Sequence, residues 1–240
     1  MQRQKLSWML ACCGASLIAC RSAAPDDTLF PLAAGHEWNY RISTEREDGQ
    51  AEREALTLRT LSPGAPAGLE GEKSAWHRRS DSGAEYWLRA DATGVYRVAS
   101  KHDLETEAQL DKPARYVPKA PYIVGTQWQT TTVPYLLMRH SEFPRELRHT
   151  HKNVVMNHQI EATDDKLDTP SGHFEKCLRV KGAASVRVYA DPTSGWRDVP
   201  ITTLEWYCPG VGLARLERRE PANSSFLTGG TLTMELESWK

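Results

Sequence analysis

The stretch TLTMELESW, residues 231–239, alternates between apolar and polar side chains. Leu232, Met234 and Leu236 fall on one side, and the threonines and glutamates between them fall on the other. A period of two is typical of an antiparallel strand that buries one face. The stretch therefore predicts a half-buried strand near the C-terminal end of the sequence.

Similar short stretches recur along the chain and are bounded by Gly, Pro, Asp and Ser. Helical periodicity is scarce, and KHDLETEAQL at 101–110 is the best candidate for a short helix. So many strands must curl, pair or close to protect their edges. The pattern predicts a mainly β fold, an antiparallel curved sheet or half-barrel of about a dozen strands with little helix. The strand candidates are 37–44, 55–61, 74–79, 84–90, 94–100, 126–133, 153–162, 174–181, 185–190, 202–208, 211–218 and 231–239.

One internal similarity is visible, PLAAGHEW at 31–38 against PYIVGTQW at 121–128. Gly35 and Gly125 would permit a left-handed turn, and Trp38 and Trp128 would begin the inward face of a strand. The β domain is expected at 29–240, with two possible structurally similar halves at 29–118 and 119–240. Whether these halves form one sheet or two is left open by the sequence.

The N-terminal residues have the order of charge and hydrophobicity of a secretory signal. Arg3 and Lys5 precede an apolar run at 6–19, which is too short to span a bilayer comfortably. Leu17-Ile18-Ala19-Cys20 resembles the lipobox of bacterial lipoproteins. This resemblance implies a signal peptide at 1–19, lipidation of Cys20 and a short tether at 20–28. It places the domain in the bacterial envelope, and Arg21 favours the outer membrane with the domain facing the periplasm.

Composition excludes one class of partner and leaves two cysteines to consider. The formal net charge is −1, so nothing indicates the basic surface of a nucleic-acid-binding protein. Cys12 and Cys13 belong to the signal, so Cys177 and Cys208 remain as a disulfide candidate in an oxidising compartment. Their alternation is awkward, because Cys177 falls on a polar side of its strand and Cys208 on the side of Leu204 and Trp206. A bond would then need a strand end, a twist or neighbouring sheets.

Three longer motifs resemble landmarks of a broad group of uncharacterised bacterial envelope lipoproteins. They are FPLAAGHEWNY at 30–40, TPSGHFEKCLRV at 169–180 and WYCPGVGLARLE at 206–217. The resemblance implies an antiparallel β fold and no assigned activity. Gly210 and Gly212 are interpreted as a tight turn and a close backbone approach, because the third glycine and following helix of a nucleotide-binding loop are missing.

Catalytic motifs of the common hydrolases and nucleotide-binding enzymes do not occur in the chain. His149 and His151 are weak metal-site candidates, since they would share one face of a strand, but a third ligand is missing and a solvated basic edge is the simpler interpretation. We therefore expect a non-enzymatic lipoprotein without a cofactor. It would bind an apolar or envelope-derived ligand, such as a lipid, a glycan or an envelope protein, on a curved β face. The alternatives are a structural or assembly factor and a metal-dependent enzyme at the histidines.

Overall fold

The computed structural model describes residues 28–69, 71–141, 143–193 and 195–240. Almost all regular structure in these residues is β, with one short 3-10 helix at Leu147–His149. Within the same residues, no helix has the length and apolar character needed to cross a bilayer. The strands are β1 (Glu37–Arg46), β2 (Ala51–Gly64), β3 (Ala75–Ser80), β4 (Glu85–Asp91), β5 (Gly94–Lys101), β6 (Gln109–Lys119), β7 (Gln127–Thr132), β8 (Met138–Arg139), β9 (Val154–Thr169), β10 (Gly172–Asp191), β11 (Gly195–Cys208), β12 (Gly212–Glu220), β13 (Leu227–Thr228) and β14 (Gly230–Trp239).

Twelve of these strands form one antiparallel sheet in the order β6-β5-β4-β3-β2-β1-β14-β12-β11-β10-β9-β7. The sheet curls until it is nearly closed as a barrel, with a single seam between β6 and β7. Across this seam the Arg115 guanidinium donates a 2.7 Å hydrogen bond to the carbonyl of Thr131. The mainly β, curved antiparallel architecture expected from the sequence is confirmed, and both halves belong to one sheet.

The helix expected at 101–110 is wrong. Residues 102–108 form turns, and β6 begins at Gln109. The N–H of Ala108 donates to the carbonyl of Ala67, which places Ala108 in a buried cluster with Trp87 and Ala99 on β4 and β5. Helix-favouring residues are outweighed here by burial against a neighbouring loop, since propensity is a weak influence compared with tertiary packing.

The two faces of the sheet differ in burial. We call inner face the side that carries Trp38, Tyr40, Ile160, Val180 and Tyr207, each at most 3% exposed. The opposite side is the outer face. Inner-face side chains pack into apolar clusters; one joins Trp128, Ile160, Leu178, Val180 and Tyr207. Another includes Leu137 and Leu147, which belong to the long connection between β7 and β9.

This connection, residues 133–153, is called the capping segment because it covers one end of the barrel. The fully buried carboxylate of Glu220 accepts hydrogen bonds from the backbone N–H groups of Tyr135, Leu136 and Leu137 at 2.8, 2.7 and 3.1 Å. Arg218 donates to Glu220 at 2.6 Å and to the carbonyl of Val133 at 2.6 Å. A charge buried with this many donors is stabilised in place, so the capping segment is held firmly against β12.

Cys177 and Cys208 are joined by a disulfide, with their Cα atoms 4.2 Å apart. They lie next to the register pair Leu178–Tyr207 on the antiparallel strands β10 and β11, since Cys177 precedes Leu178 and Cys208 follows Tyr207, and both share the outer face. The sequence suggested that Cys177 and Cys208 lie on opposite faces of their strands, and this is wrong. Leu204 and Trp206 also face outward, and Trp206 packs in a small apolar cluster with both cysteines. Thr203, Glu205 and Tyr207 of β11 face inward.

Candidate functional site

A set of carboxamide side chains lies on the outer face where β7, β9 and β10 run side by side. Gln127 on β7 is opposite Gln159 on β9, which is opposite Lys181 on β10. In the neighbouring row, Gln129 is opposite Asn157, which is opposite Ala183. Successive strand residues alternate between faces, so register alone brings these side chains to one surface.

The carboxamides are paired across the two strands. The Gln129 side-chain N–H donates to Asn157 Oδ1 at 2.8 Å, and the Gln127 side-chain N–H donates to Gln159 Oε1 at 3.2 Å. Each amide has two donors and two acceptor lone pairs, so one cross-strand bond leaves most of its hydrogen-bonding capacity available. The four amides are thus oriented by each other while they remain exposed.

These side chains border an open cavity of about 390 Å³, which we call the amide cavity. Two opposite charges lie at its edge, since Lys181 Nζ is 3.4 Å from Glu161 Oε1. Glu161 also lies 3.6 Å from the Arg179 guanidinium. A second cavity of about 230 Å³ shares Glu161 and Lys181 and continues over β11 and β12. The amide cavity is lined by Gln127, Trp128, Gln129, Asn157, His158, Gln159, Glu161, Lys181 and Ala183.

On the inner face behind the amide cavity, Trp128 and His158 stack with ring centroids 5.2 Å apart. One imidazole nitrogen of His158 bonds to the Thr130 hydroxyl at 2.9 Å, whereas the buried Nδ1 has no hydrogen-bond partner among the described residues. The same holds for the buried Trp128 Nε1. Burial, with a smaller contribution from the charge of Arg115, lowers the pKa of His158 to about 4. The ring is therefore neutral at physiological pH.

A second polar group lies in the interior of the barrel. The Tyr207 hydroxyl donates to Glu205 Oε2 at 2.5 Å. Burial raises the pKa of the Glu205 carboxyl, against the opposing effects of the Tyr207 hydrogen bond and of the charges of Arg115 and Arg218. Burial also raises the pKa of Tyr207. These two groups hold each other within the core through this hydrogen bond.

The histidines proposed as metal ligands are not on a strand. His149 ends the 3-10 helix, where its ring lies 3.8 Å from the Glu146 carboxylate. His151 follows before β9 and is bonded to the Thr150 hydroxyl at 2.9 Å. The expectation that both share a strand face is wrong, because the capping segment is not extended there. In the described part of the chain, no group of three or more His, Cys, Asp or Glu residues could hold a metal ion.

The turn and core residues singled out from the sequence occupy defined places. Gly35 and Gly125 have φ of 96° and 93°, and Gly210 and Gly212 have φ of 74° and 88° in the turn between β11 and β12. Trp38 and Trp128 are 2% and 6% exposed. Cys20 and the signal peptide predicted at 1–19 lie outside the described residues. Sequence reasoning missed Gln127, Gln129, Asn157 and Gln159, although the alternating amides of QWQ and NHQ were a usable signal.

Comparison with known proteins gives two structural similarities. No protein-family model matches the chain, and no curated protein matches it. A candidate lipoprotein from Parabacteroides distasonis ATCC 8503 aligns with a TM-score of 0.38 and 16% identity, covering 88% of this chain and 98% of the other. A candidate exported protein with a YmcC-like fold from Bacteroides fragilis NCTC 9343 aligns with a TM-score of 0.37 and 15% identity over the same shares. The first description names a lipoprotein and the second an exported protein, and the three sequence motifs stay a prediction.

Proposed function

We propose that this chain is a non-enzymatic envelope lipoprotein, tethered to the outer membrane through Cys20 and facing the periplasm, which binds a neutral glycan in the amide cavity. The observation that carries the proposal is the set of four exposed carboxamides oriented by their own cross-strand hydrogen bonds. Planar amides and carboxylates can each engage two neighbouring hydroxyl groups, which is the pattern that a sugar presents.

The charge of the amide cavity favours a neutral ligand. Its two charged residues, Glu161 and Lys181, have opposite signs, and their charged atoms are 3.4 Å apart. Their electrostatic fields therefore largely cancel at longer range. The cavity is open and shallow on a sheet face, and a glycan chain can lie across it and continue over the second cavity that shares Glu161 and Lys181. A phosphorylated or strongly acidic ligand would call for unpaired cations here.

The inner face is a weaker candidate for the ligand site. Its apolar side chains are packed against each other and against Leu137 and Leu147 of the capping segment. An apolar ligand would have to displace this segment and its hydrogen bonds to Glu220. The ligand class expected from the sequence therefore narrows from an apolar or envelope-derived molecule to a glycan of the envelope.

The test is binding of the full, detergent-solubilised chain to an array of immobilised neutral oligosaccharides from bacterial envelope polysaccharides. We expect retention of a defined oligosaccharide, and about 30-fold weaker binding by a Gln129→Ala/Asn157→Ala variant, which removes two hydrogen-bonding amides at about 1 kcal/mol each. Gln109→Ala is the matched control, because Gln109 is an exposed strand amide on β6, outside the cavity lining. Unaltered binding by the double variant would contradict the proposal. A lipid released by organic extraction would instead favour the interior as the site.

A second candidate function, an assembly factor, is favoured by one observation. Tyr189 and Trp196 form an exposed aromatic pair at the β10–β11 hairpin, with ring centroids 5.9 Å apart in an edge-to-face arrangement. A photo-crosslinking residue at Trp196 in intact cells would then give an adduct of defined mass. The same residue at Leu104, which is 93% exposed in a turn region, should give none. Equal labelling at both sites would argue against this function.

A further inference from the structure

An apolar pair projects from a rigid loop beside the point where the described chain begins. Ile123 and Val124 are 59% and 60% exposed and are adjacent in sequence. They belong to residues 120–126, which we call the tether-side loop. Exposed apolar side chains that occur singly are common on protein surfaces, whereas neighbours presented together on a projecting loop indicate a contact.

The tether-side loop is braced from within. The Thr126 hydroxyl donates to the carbonyl of Pro121 at 2.7 Å, and the Thr126 N–H donates to the carbonyl of Ile123 at 3.2 Å. The N–H of Gly125 donates to the carbonyl of Ile160 on β9 at 2.9 Å. The loop therefore presents Ile123 and Val124 in one arrangement, and ordering them costs little further entropy when they are buried.

The first described residues lie at the same end of the barrel. The carbonyl of Thr28 accepts a hydrogen bond from Gly210 at 2.9 Å, and the Phe30 ring lies 6.1 Å from the Tyr207 ring. Leu29 and Phe30, which follow the first described residue, pack against the same apolar cluster as Tyr122 of the tether-side loop. The loop thus lies beside the first described residues.

The length of the preceding segment limits how far this end can be from the bilayer. If Cys20 is acylated, the eight residues 21–28 could reach at most roughly 26 Å from it at about 3.3 Å per residue. The tether-side loop then lies within reach of the membrane surface. Residues 119–126 include no acidic residue, and Lys119 supplies a positive charge next to the loop. An apolar pair flanked by a long basic side chain is suited to the boundary between acyl chains and headgroups.

We propose that Ile123 and Val124 insert into the outer-membrane surface as a second point of attachment, so that the barrel stands on the membrane with the tether-side loop downward. The inference rests on the proposed lipid attachment of Cys20 and adds a fixed orientation to it. The β10–β11 hairpin then faces away from the bilayer, because β11 spans 14 residues between Gly195 and Cys208. At about 3.3 Å per residue this strand separates the two ends by about 40 Å.

The test uses the full lipidated chain in vesicles of phosphatidylethanolamine and phosphatidylglycerol. An environment-sensitive fluorophore is attached in an Ile123→Cys variant, and a Trp196→Cys variant is the matched control because Trp196 is 62% exposed at the opposite end. Nitroxide-labelled acyl chains should quench the fluorophore at position 123 several-fold more strongly than the fluorophore at position 196. A thermal melt of each variant confirms that the fold is retained.

Flotation of the vesicles separates the two levels of the proposal. Chain that floats, with equal and weak quenching at both positions, would overturn the second attachment while leaving the lipid tether intact. Chain that fails to float would overturn the tether together with the inference built on it. Strong quenching at position 123 but not at position 196 supports both the lipid tether and the second attachment. An Ile123→Asp/Val124→Asp variant should then still float with the vesicles but lose the fixed orientation.

Discussion

At residues 31–38 and 121–128 the chain makes the same turn twice. In the first, Gly35 donates to the carbonyl of Thr60 at 2.9 Å and Thr60 donates back to His36 at 2.9 Å. In the second, Gly125 donates to Ile160 at 2.9 Å and Ile160 donates back to Thr126 at 3.0 Å. In both, the following tryptophan begins the inner face of a strand, so the two hydrogen bonds that join each turn to its neighbouring strand are repeated.

The surroundings of the two tryptophans differ. Trp38 Nε1 donates to the carbonyl of Val211 at 2.7 Å, and the Arg78 guanidinium lies over its ring at 4.2 Å. Trp128 stacks on neutral His158, and no residue in the described part of the chain bonds to its buried Nε1. The same turn is therefore followed at the first site by a tryptophan whose N–H is hydrogen-bonded. At the second site it is followed by one whose N–H has no partner among the described residues. A turn motif therefore determines the local backbone hydrogen bonds, whereas the polar contacts of the following tryptophan depend on the strands that pack against it.

The largest expected difference between the two sites is in their response to acid. Burial lowers the pKa of His158 to about 4. Below about pH 6.5, His158 is therefore protonated in the unfolded chain but stays neutral in the folded chain until the pH approaches 4. The free energy of unfolding should fall as pH decreases from 6.5, by up to about 3 kcal/mol at pH 4 from this group. Burial lowers the pKa of Arg78 only to about 10, so the first site keeps its charge throughout this range.

Urea unfolding at pH 7 and pH 4 measures this effect. A His158→Asn variant should lose that part of the pH dependence, and His149→Asn, at an exposed site, should keep it. An equal pH dependence in the wild type and in His158→Asn would show that other groups are responsible.

The next largest difference is expected from replacing each tryptophan by phenylalanine. Trp38→Phe leaves the buried carbonyl of Val211 without its donor and should lower the free energy of unfolding by about 2 kcal/mol. Trp128→Phe removes an N–H that has no partner, so its cost should stay below about 1 kcal/mol. Denaturant unfolding at pH 7 compares the two. A larger loss for Trp128→Phe would show that the second site is the better satisfied one in solution.

The smallest difference is expected at the turns themselves. Gly35 and Gly125 have φ of 96° and 93°, and an added Cβ would meet open space at both. Alanine at either position should lower the free energy of unfolding by about 1 kcal/mol through backbone strain alone, and the two decreases should be equal. Thermal melts of Gly35→Ala and Gly125→Ala provide the measurement, with Gly64→Ala as a control at a glycine without positive φ. Unequal costs would mean that the two turns are not equivalent.

Much of this fold was predictable from residue patterns. Alternation along 231–239 correctly placed a strand, and the glycines at 35 and 125 marked turns with positive φ. The faces of β11 were not predictable, because Thr203 and Glu205 point inward while Leu204 and Trp206 point outward. The hydrophobicity of a strand cannot distinguish a core from a covered patch on the other face.

The alternating amides of QWQ and NHQ were visible in the sequence, but their meeting in one cavity was not. Gln127 and Gln129 are close to Asn157 and Gln159 only through the register of β7 with β9. Twenty-one residues of the capping segment separate the two strands, and nothing in those residues specifies which pairs will be opposite. The helical pattern at 101–110 failed likewise, because the burial of Ala108 is determined by a loop far away in sequence.

The pairing of β1 with β14 has a consequence for how the protein is made. Asn39 and Ser238 bond to each other although they are 199 positions apart, and Glu37 and Lys240 exchange backbone hydrogen bonds. Contacts between residues so distant in sequence form slowly, because the intervening chain must first be brought together. The sheet cannot join its two halves until β14 is available. If the chain is exported, as proposed above, slow closure of the sheet would keep it open during passage through a translocation channel, and folding would be completed on the far side.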